Sequence, residues 1–233
     1  MNSRSIVNAV RYVLENLLPP ALRDSPLGYG LLWLYYGKNT RYQADFRRRA
    51  VSMSPQEYEQ YYRTFPGFDT ETDCNEACLS AMPELLLGKS VLDVGCGRGY
   101  VAGLLASVPD ISVTGVDFII AEGVEAAYPE VEFRAARIEA LPFETDAFDT
   151  VVCTHTLEHI VDLAAAIREL RRVACRRLII VVPQEREYLY NFNLHVHFFP
   201  YPYSFLKHMM PLPKTHHCDS LGGDILYWED VSD

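Results

Sequence analysis

The sequence predicts an α/β fold, in which a mostly parallel sheet is flanked by helices and follows a helical N-terminal extension. Apolar runs typical of strands alternate with helical patterns between residues 81 and 184. This order favours a parallel sheet with right-handed crossovers. The chain of 233 residues, 49% of them hydrophobic, is long enough to bury the core of such a domain.

The first predicted strand, residues 90–94, is an apolar run that carries an acid, Asp93, next to its end. The pattern G-x-G-x-G follows directly, and the apolar residues 100–106 then predict a helix. Glycines lack a Cβ atom, so the turn can adopt positive φ and a ligand can approach its backbone closely. The same pattern would also suit a tight structural turn with no ligand.

The second predicted strand, residues 112–117, ends in another carboxylate, Asp117. In nucleotide-binding α/β folds, an acid at this place accepts hydrogen bonds from ribose hydroxyls. The dinucleotide fingerprint is G-x-G-x-x-G, whereas the third glycine comes one residue earlier here. The turn therefore differs from that of an NAD-binding domain.

The remaining strands are predicted from apolar, β-branched runs near residues 131–134, 148–153 and 178–183. Two more strands are expected in the C-terminal part, the last around residues 224–228. The polar residues 216–219, with two adjacent histidines, are expected in a loop.

We expect an N-terminal extension over residues 1–80 and a catalytic domain over 81–233. Within that domain, 85–185 would form the core and 186–233 a segment on the substrate side. No apolar run is long enough for a transmembrane helix. The aromatic residues 28–36 are expected to dock on the chain's own domain or on a second copy, which makes a homodimer plausible.

Net charge and cysteine spacing argue against some partners and sites. The net charge of −10 argues against a nucleic-acid partner, because binding phosphates requires clustered Lys and Arg. The six cysteines show no spacing typical of a structural zinc site. We expect them to be reduced, which indicates a cytoplasmic protein. They are Cys74, Cys78, Cys96, Cys153, Cys175 and Cys218.

Five motifs in a fixed order resemble the type-11 subfamily of class I methyltransferases that use S-adenosylmethionine (SAM). After the glycine turn come E-A-L-P-F at 139–143, F-D-T-V-V at 148–152, T-L-E-H-I at 156–160 and L-I-I-V-V-P at 178–183. The resemblance covers roughly residues 85–185. It implies a Rossmann-like fold, a SAM cofactor and methyl transfer.

The resemblance also implies a cofactor site. The glycine turn would pass beneath the methionine, Asp117 would bind the ribose and Phe118 would lie against the adenine. The family commonly has an Asp where this chain has Arg137, which has no acceptor. Adenine recognition would then fall to the Ile138 backbone or to Glu139. The implied cofactor residues are Asp93, Gly95, Cys96, Gly97, Asp117, Phe118, Ile138, Glu139 and Thr154.

The turn after the fourth strand carries the candidate catalytic residues, His159 and His155. His159 stands where related sugar-modifying methyltransferases have a histidine proposed as general base, a task suited to imidazole. Alternatively, Glu158 and His159 merely cap the next helix. Together with His155 they also resemble the E-x-x-E-H cluster that binds a divalent cation in ubiquinone-pathway O-methyltransferases. The zinc-peptidase motif H-x-x-E-H has the same letters but lies inside a helix.

Three functions stay open on the sequence. The first is methyl transfer to a small polar acceptor, such as a hydroxyl of a sugar, a glycan precursor or a secondary metabolite. The second is methylation of a protein or an RNA, of which the acidic charge disfavours RNA. The third is a non-catalytic SAM-binding scaffold subunit, which the intact glycine turn and Asp117 disfavour.

Overall fold

The computed structural model divides the chain into two compact units. It describes residues 12–36, 46, 48–64, 71–189 and 193–231. Unit 1 consists of residues 1–67 and 185–198, and unit 2 of residues 68–184 and 199–233. The domain boundary expected at residue 80 stays a prediction.

Unit 1 is helical where it is described. Its helices are α1 (Pro20–Arg23), α2 (Pro26–Tyr36) and α3 (Pro55–Thr64), with a π-helical turn at Val13–Leu17 and a 3₁₀ turn at Ala50–Ser52. Phe46 is fully buried, and the rings of Tyr58 and Tyr61 each lie 5.3 Å from it. Leu194 and Val196, from the second segment of the unit, pack into the same cluster.

Unit 2 contains a seven-stranded sheet. Its strands are β1 (Ser90–Val94), β2 (Ser112–Asp117), β3 (Val131–Ala135), β4 (Phe148–Thr154), β5 (Ala174–Pro183), β6 (His216–Leu221) and β7 (Asp224–Asp230). The order across the sheet is β3-β2-β1-β4-β5-β7-β6. The first five strands are parallel, and β7 runs antiparallel to both β5 and β6. The strand order reverses between β1 and β4, where open α/β sheets bind their ligands.

Helices cover both faces of this sheet. The helices of unit 2 are α4 (Glu76–Leu85), α5 (Tyr100–Ala106), α6 (Val124–Ala127), α7 (Leu163–Val173) and α8 (Pro202–Leu206). The central strands read as continuous apolar runs because they are buried on both faces. Leu92 of β1 faces the cluster that contains α7, whereas its neighbour Val91 faces the cluster that contains α4 and α5.

Sequence features explain the apolar face of α7 and the starts of α7 and α4. α7 buries Leu163, Ile167 and Leu170, which recur at helical spacing, and Asp162 caps its first turn by accepting from the Ala165 amide (2.9 Å). α4 begins after Asn75, whose side chain accepts from the amides of Ala77 and Cys78 at 2.9 and 3.0 Å.

The predicted α/β fold and its five parallel strands are confirmed. β5 begins at Ala174 rather than near residue 178, because Arg176 and Arg177 interrupt the apolar pattern at its start. The prediction of a loop at 216–219 is wrong, since these residues form part of β6. β6 is an edge strand with mostly exposed side chains, so it lacks an apolar face. None of the described helices combines the length and the apolar character needed to cross a bilayer.

Candidate functional site

The glycine turn and the end of β2 meet at the carboxyl edge of the sheet. The Gly97 amide donates a hydrogen bond to Oδ2 of Asp117 (2.9 Å), and the Ile119 amide donates to Oδ1 (3.2 Å). The Phe118 amide also lies close enough to the carboxylate to favour its charged form. Burial raises the pKa of Asp117, and the backbone amides around it oppose that shift. The residue predicted to bind ribose therefore lies beside the glycine turn and is hydrogen-bonded to it.

The glycine turn is held by its own backbone. The amides of Gly95 and Cys96 both donate to the Val116 carbonyl, at 2.7 and 3.0 Å, and the Gly99 amide donates to the Cys96 carbonyl (2.8 Å). A pyrophosphate site needs backbone amides that point at the ligand. Since these amides and that of Gly97 donate within the protein, the described turn does not suit a phosphate.

Gly95 and Gly97, two glycines of this turn, have different surroundings. Gly95 has φ +80°, and a Cβ there would lie 1.9 Å from Oγ1 of Thr156 in the turn after β4. Gly97 has φ +52°, but a Cβ there would meet no atom within 4 Å. Gly95 therefore lets the glycine turn pack against the turn after β4, whereas Gly97 borders open space. The sequence pattern did not indicate that Thr156 packs against Gly95.

Asp93 is fully buried beneath the turn, and neither oxygen has a hydrogen-bond partner among the described residues. Burial, followed by the nearby charge of Asp117, raises the pKa of Asp93 to about 7, and the backbone amide of Ala102 opposes that shift only in part. A buried polar group without a partner costs free energy. A cation or a hydrogen-bond donor placed beside Asp93 would remove that cost.

The other predicted cofactor residues follow β2 and β3. Phe118 is half-buried directly after Asp117, and the Ile138 side chain is buried in the core, so only its backbone could meet a ligand. Glu139 pairs with the exposed Arg137 (3.0 Å). The Cys96 thiol is buried, which raises its pKa, so it stays a neutral packing group.

The turn after β4 leaves the sheet sharply. Thr154 is the last residue of β4, and His155 has a positive φ of 48°, which is rare outside glycine. A 3₁₀ turn at Leu157–His159 follows. Because Asp162 caps α7, the helix-cap role considered for Glu158 and His159 is already filled.

The two histidines of this turn have different surroundings. Nε2 of His155 lies 3.1 Å from Oδ2 of Asp224, and its Nδ1 lies 3.6 Å from Oε1 of Glu158. Burial alone would lower the pKa of His155, but Asp224 and then Glu158 outweigh it and raise the pKa to about 9. The His159 side chain is 24% exposed, and its Nε2 lies 3.9 Å from the same Glu158 oxygen.

His155 also belongs to a group of possible metal ligands whose other two members lie outside the motif. One ligand atom each from Cys74, His155 and Asp224 lies within 4.8 Å of the other two. Cys74 precedes α4 and Asp224 begins β7, so neither belongs to the H-x-x-E-H motif. Nothing in the local sequence patterns indicated this cluster.

Comparison with known proteins finds a family model and several relatives that match part of the chain. Residues 92–181 match the family model described as a methyltransferase domain of type 11. The chain is 39% identical to the ubiquinone biosynthesis O-methyltransferase of Paracidovorax citrulli over 102 residues, which are 40% of each protein. It is 36% identical to the demethylmenaquinone methyltransferase of Roseiflexus over 46% of each.

A probable SAM-dependent methyltransferase of Mycolicibacterium smegmatis is 34% identical over 48% of this chain and 45% of that protein. The chain spans less than half the length of these curated relatives.

Solved structures agree on the fold. The PH0226 protein from Pyrococcus horikoshii superposes with a TM-score of 0.54 and 20% identity. The match covers 73% of this chain and 98% of that protein. A SAM-dependent methyltransferase from Aquifex aeolicus is covered completely by 77% of this chain, with a TM-score of 0.53 and 14% identity. These likenesses show the fold, and within it residues 92–181 match the type-11 methyltransferase-domain model.

Proposed function

We propose that this chain is a cytoplasmic SAM-dependent methyltransferase that methylates a hydroxyl of a small polar acceptor. The acceptor would be a sugar, a glycan precursor or a secondary metabolite. The observation that carries the proposal is the pair of carboxylates beside the glycine turn. Asp117 is hydrogen-bonded to the turn, and the oxygens of Asp93 are buried with no partner at hydrogen-bonding distance among the described residues. The names of the relatives support methyl transfer, and two of them refer to quinone pathways.

The residues of the turn fit SAM better than a phosphate-bearing nucleotide. SAM has ribose hydroxyls and an ammonium group, and it has no phosphate. Asp117 would accept from the hydroxyls, and Asp93 would balance the ammonium directly or through a water molecule. Gly97 would leave room for the methionine end, because nothing stands within 4 Å of its missing Cβ. When bound, SAM supplies a methyl group on a positively charged sulfur.

The protein's chemical work would be to position the acceptor and to remove its proton. Methyl transfer from SAM is an in-line displacement, so positioning dominates the rate. A hydroxyl acceptor must also lose its proton, and we assign that step to His159. Its side chain is partly exposed after the end of β4, with the Glu158 carboxylate at ion-pair distance to orient the ring and to stabilise its charged form.

A methylation screen with isotope-labelled SAM tests the proposal. We expect label in small hydroxyl-bearing molecules, and the panel includes sugar nucleotides, glycan precursors and phenolic quinone precursors. Label in protein or RNA would overturn the acceptor class. Binding of S-adenosylhomocysteine without any transfer would instead favour the scaffold function. Absence of that binding would overturn the cofactor assignment itself.

Gly97→Val should abolish detectable binding of S-adenosylhomocysteine while the fold persists. The new side chain would occupy the space that we assign to the methionine. Gly123→Val is the matched control, since Gly123 also has a positive φ of 79° and nothing within 4 Å of its missing Cβ. Calorimetric titration measures affinity, and thermal unfolding reports the shared backbone strain. Equal affinities in the two variants would show that the turn is not the site.

Asp117→Ala should weaken binding of S-adenosylhomocysteine by about 1.5–3 kcal/mol, the scale of hydrogen bonds to a charged group. This corresponds to roughly a 10- to 150-fold higher Kd. Asp117→Asn keeps one acceptor oxygen, so its Kd should lie between those of the wild type and Asp117→Ala. The same titration checks both variants, and an unchanged Kd in Asp117→Ala would assign the ribose to another residue.

A further inference from the structure

We propose that Cys74, His155 and Asp224 form a site for a zinc-like divalent cation at the carboxyl edge of the sheet. One ligand atom from each residue lies within 4.8 Å of the other two, and all three residues belong to unit 2. The site is separate from the glycine turn and does not depend on SAM binding. It also differs from the cation cluster that the H-x-x-E-H motif suggests.

The sheet brings the three residues together from distant parts of the chain. His155 directly follows β4, and Asp224 is the first residue of β7. β4 and β7 both pair with β5, the first parallel and the second antiparallel. The end of β4 and the start of β7 therefore lie at the same edge. Cys74 is held there by Asn75, whose amide group donates to the Leu221 carbonyl (2.9 Å) and to Asp224.

The donor set selects the class of cation. A thiolate, an imidazole and a carboxylate are the ligands of zinc, whereas Mg²⁺ and Ca²⁺ prefer oxygen alone. With metal–ligand distances of about 2.0–2.3 Å, tetrahedral ligand atoms lie about 3.3–3.6 Å apart. Nε2 of His155 and Oδ2 of Asp224 are already 3.1 Å apart. Shifts of about 1 Å in side chains would complete three ligands, with the fourth position open to water.

The surroundings of the three ligands are those of a supported metal site. The side-chain amide and the backbone amide of Asn75 donate to Oδ2 of Asp224, at 2.7 and 3.3 Å. Glu158 faces the other ring nitrogen of His155 at 3.6 Å, as carboxylates commonly do behind a metal-bound histidine. The side chains of His155 and Asp224 are 13% and 8% exposed, which leaves a cation a way in.

The left-handed backbone conformation of His155 also supports a metal site. Its φ of 48° is unfavourable for a non-glycine residue, and its amide is held by the Val181 carbonyl (2.8 Å). This conformation places the ring between Asp224 and Glu158.

Cobalt spectroscopy on the 233-residue chain tests the site. Co²⁺ bound through a thiolate gives an intense sulfur-to-cobalt charge-transfer absorption. We expect this band at one cobalt per chain, and we expect zinc to displace it. Cys74→Ser should abolish the band, whereas Cys175→Ser, at a half-buried cysteine on β5, should keep it. Asp224→Asn should raise the Kd for zinc at least about tenfold, because losing even a group that only supports a metal ligand costs about 10–100-fold in affinity.

Three results would overturn the proposal. They are a wild-type chain that binds neither cobalt nor zinc stoichiometrically, a charge-transfer band that survives in Cys74→Ser, and a band that His159→Ala removes. The first does not depend on the folding of any variant. None of them bears on SAM binding, so the failure of this site and the failure of the proposed methyltransferase remain distinguishable.

Discussion

His159→Ala should lower methyl-transfer turnover by about 10²–10⁴-fold, the usual cost of removing a general base. The Kd for S-adenosylhomocysteine should stay within error, because the imidazole acts on the acceptor's proton rather than on the cofactor. Turnover with labelled SAM and calorimetric titration measure the two quantities separately. A loss of similar size in both would mean that His159 shapes the cofactor site.

His216→Ala is the matched control, since His216 is exposed on the edge strand β6 and should leave turnover unchanged. Near-wild-type turnover in His159→Ala would remove the general base and leave positioning alone. If a chelator abolishes turnover and His155→Ala equals His159→Ala, a cation rather than the imidazole activates the acceptor.

Arg171→Met should destabilise the protein by about 3–5 kcal/mol, the cost of leaving a buried charge without its partner. Glu229 is 1% exposed, and Arg171 donates to both of its carboxylate oxygens at 2.6 Å. The Tyr227 hydroxyl donates to the same carboxylate. Arg171 also donates to the Met209 carbonyl (2.7 Å), so it ties α7 to β7 and to the segment after α8.

Arg134→Met is the matched control, because Arg134 pairs with Glu132 at the same 2.6 Å while both side chains are largely exposed. Exposed pairs contribute about 0–1 kcal/mol. Denaturant unfolding measures the difference. Adding Glu229→Gln to Arg171→Met should recover part of the loss, since the uncompensated charge disappears. Similar losses in Arg171→Met and Arg134→Met would show that burial does not decide the strength of this pair.

The parallel part of the fold could be predicted because its signals are local. Each central strand is a short apolar run, and the turn G-x-G-x-G at residue 95 marks the junction with α5. The meeting of this turn with Asp117 followed from a topology rule, that carboxyl ends of neighbouring parallel strands share one edge. The structure adds the distance of 2.9 Å from the Gly97 amide to Asp117.

The rest depends on contacts between distant residues. Cys74 and Asp224 have no common pattern in the sequence, and only the return of β7 alongside β5 brings them to His155. Two C-terminal strands were expected, but the position of β6 was missed because an exposed edge strand needs no apolar alternation. The capping role of Asp162 was overlooked because the preceding Glu158 and His159 offered a competing cap.

The division of unit 1 into two chain segments determines the order in which this protein can fold during synthesis. The cluster around Phe46 includes Leu194 and Val196, which leave the ribosome only after all five parallel strands have been made. Until then the tyrosine-rich N-terminal segment has part of its apolar surface uncovered, and such surface promotes aggregation. Unit 1 therefore begins first and is completed late, with the parallel strands synthesised between its two halves. A ribosome that stalls between residues 64 and 193 would leave this cluster open and in need of a chaperone.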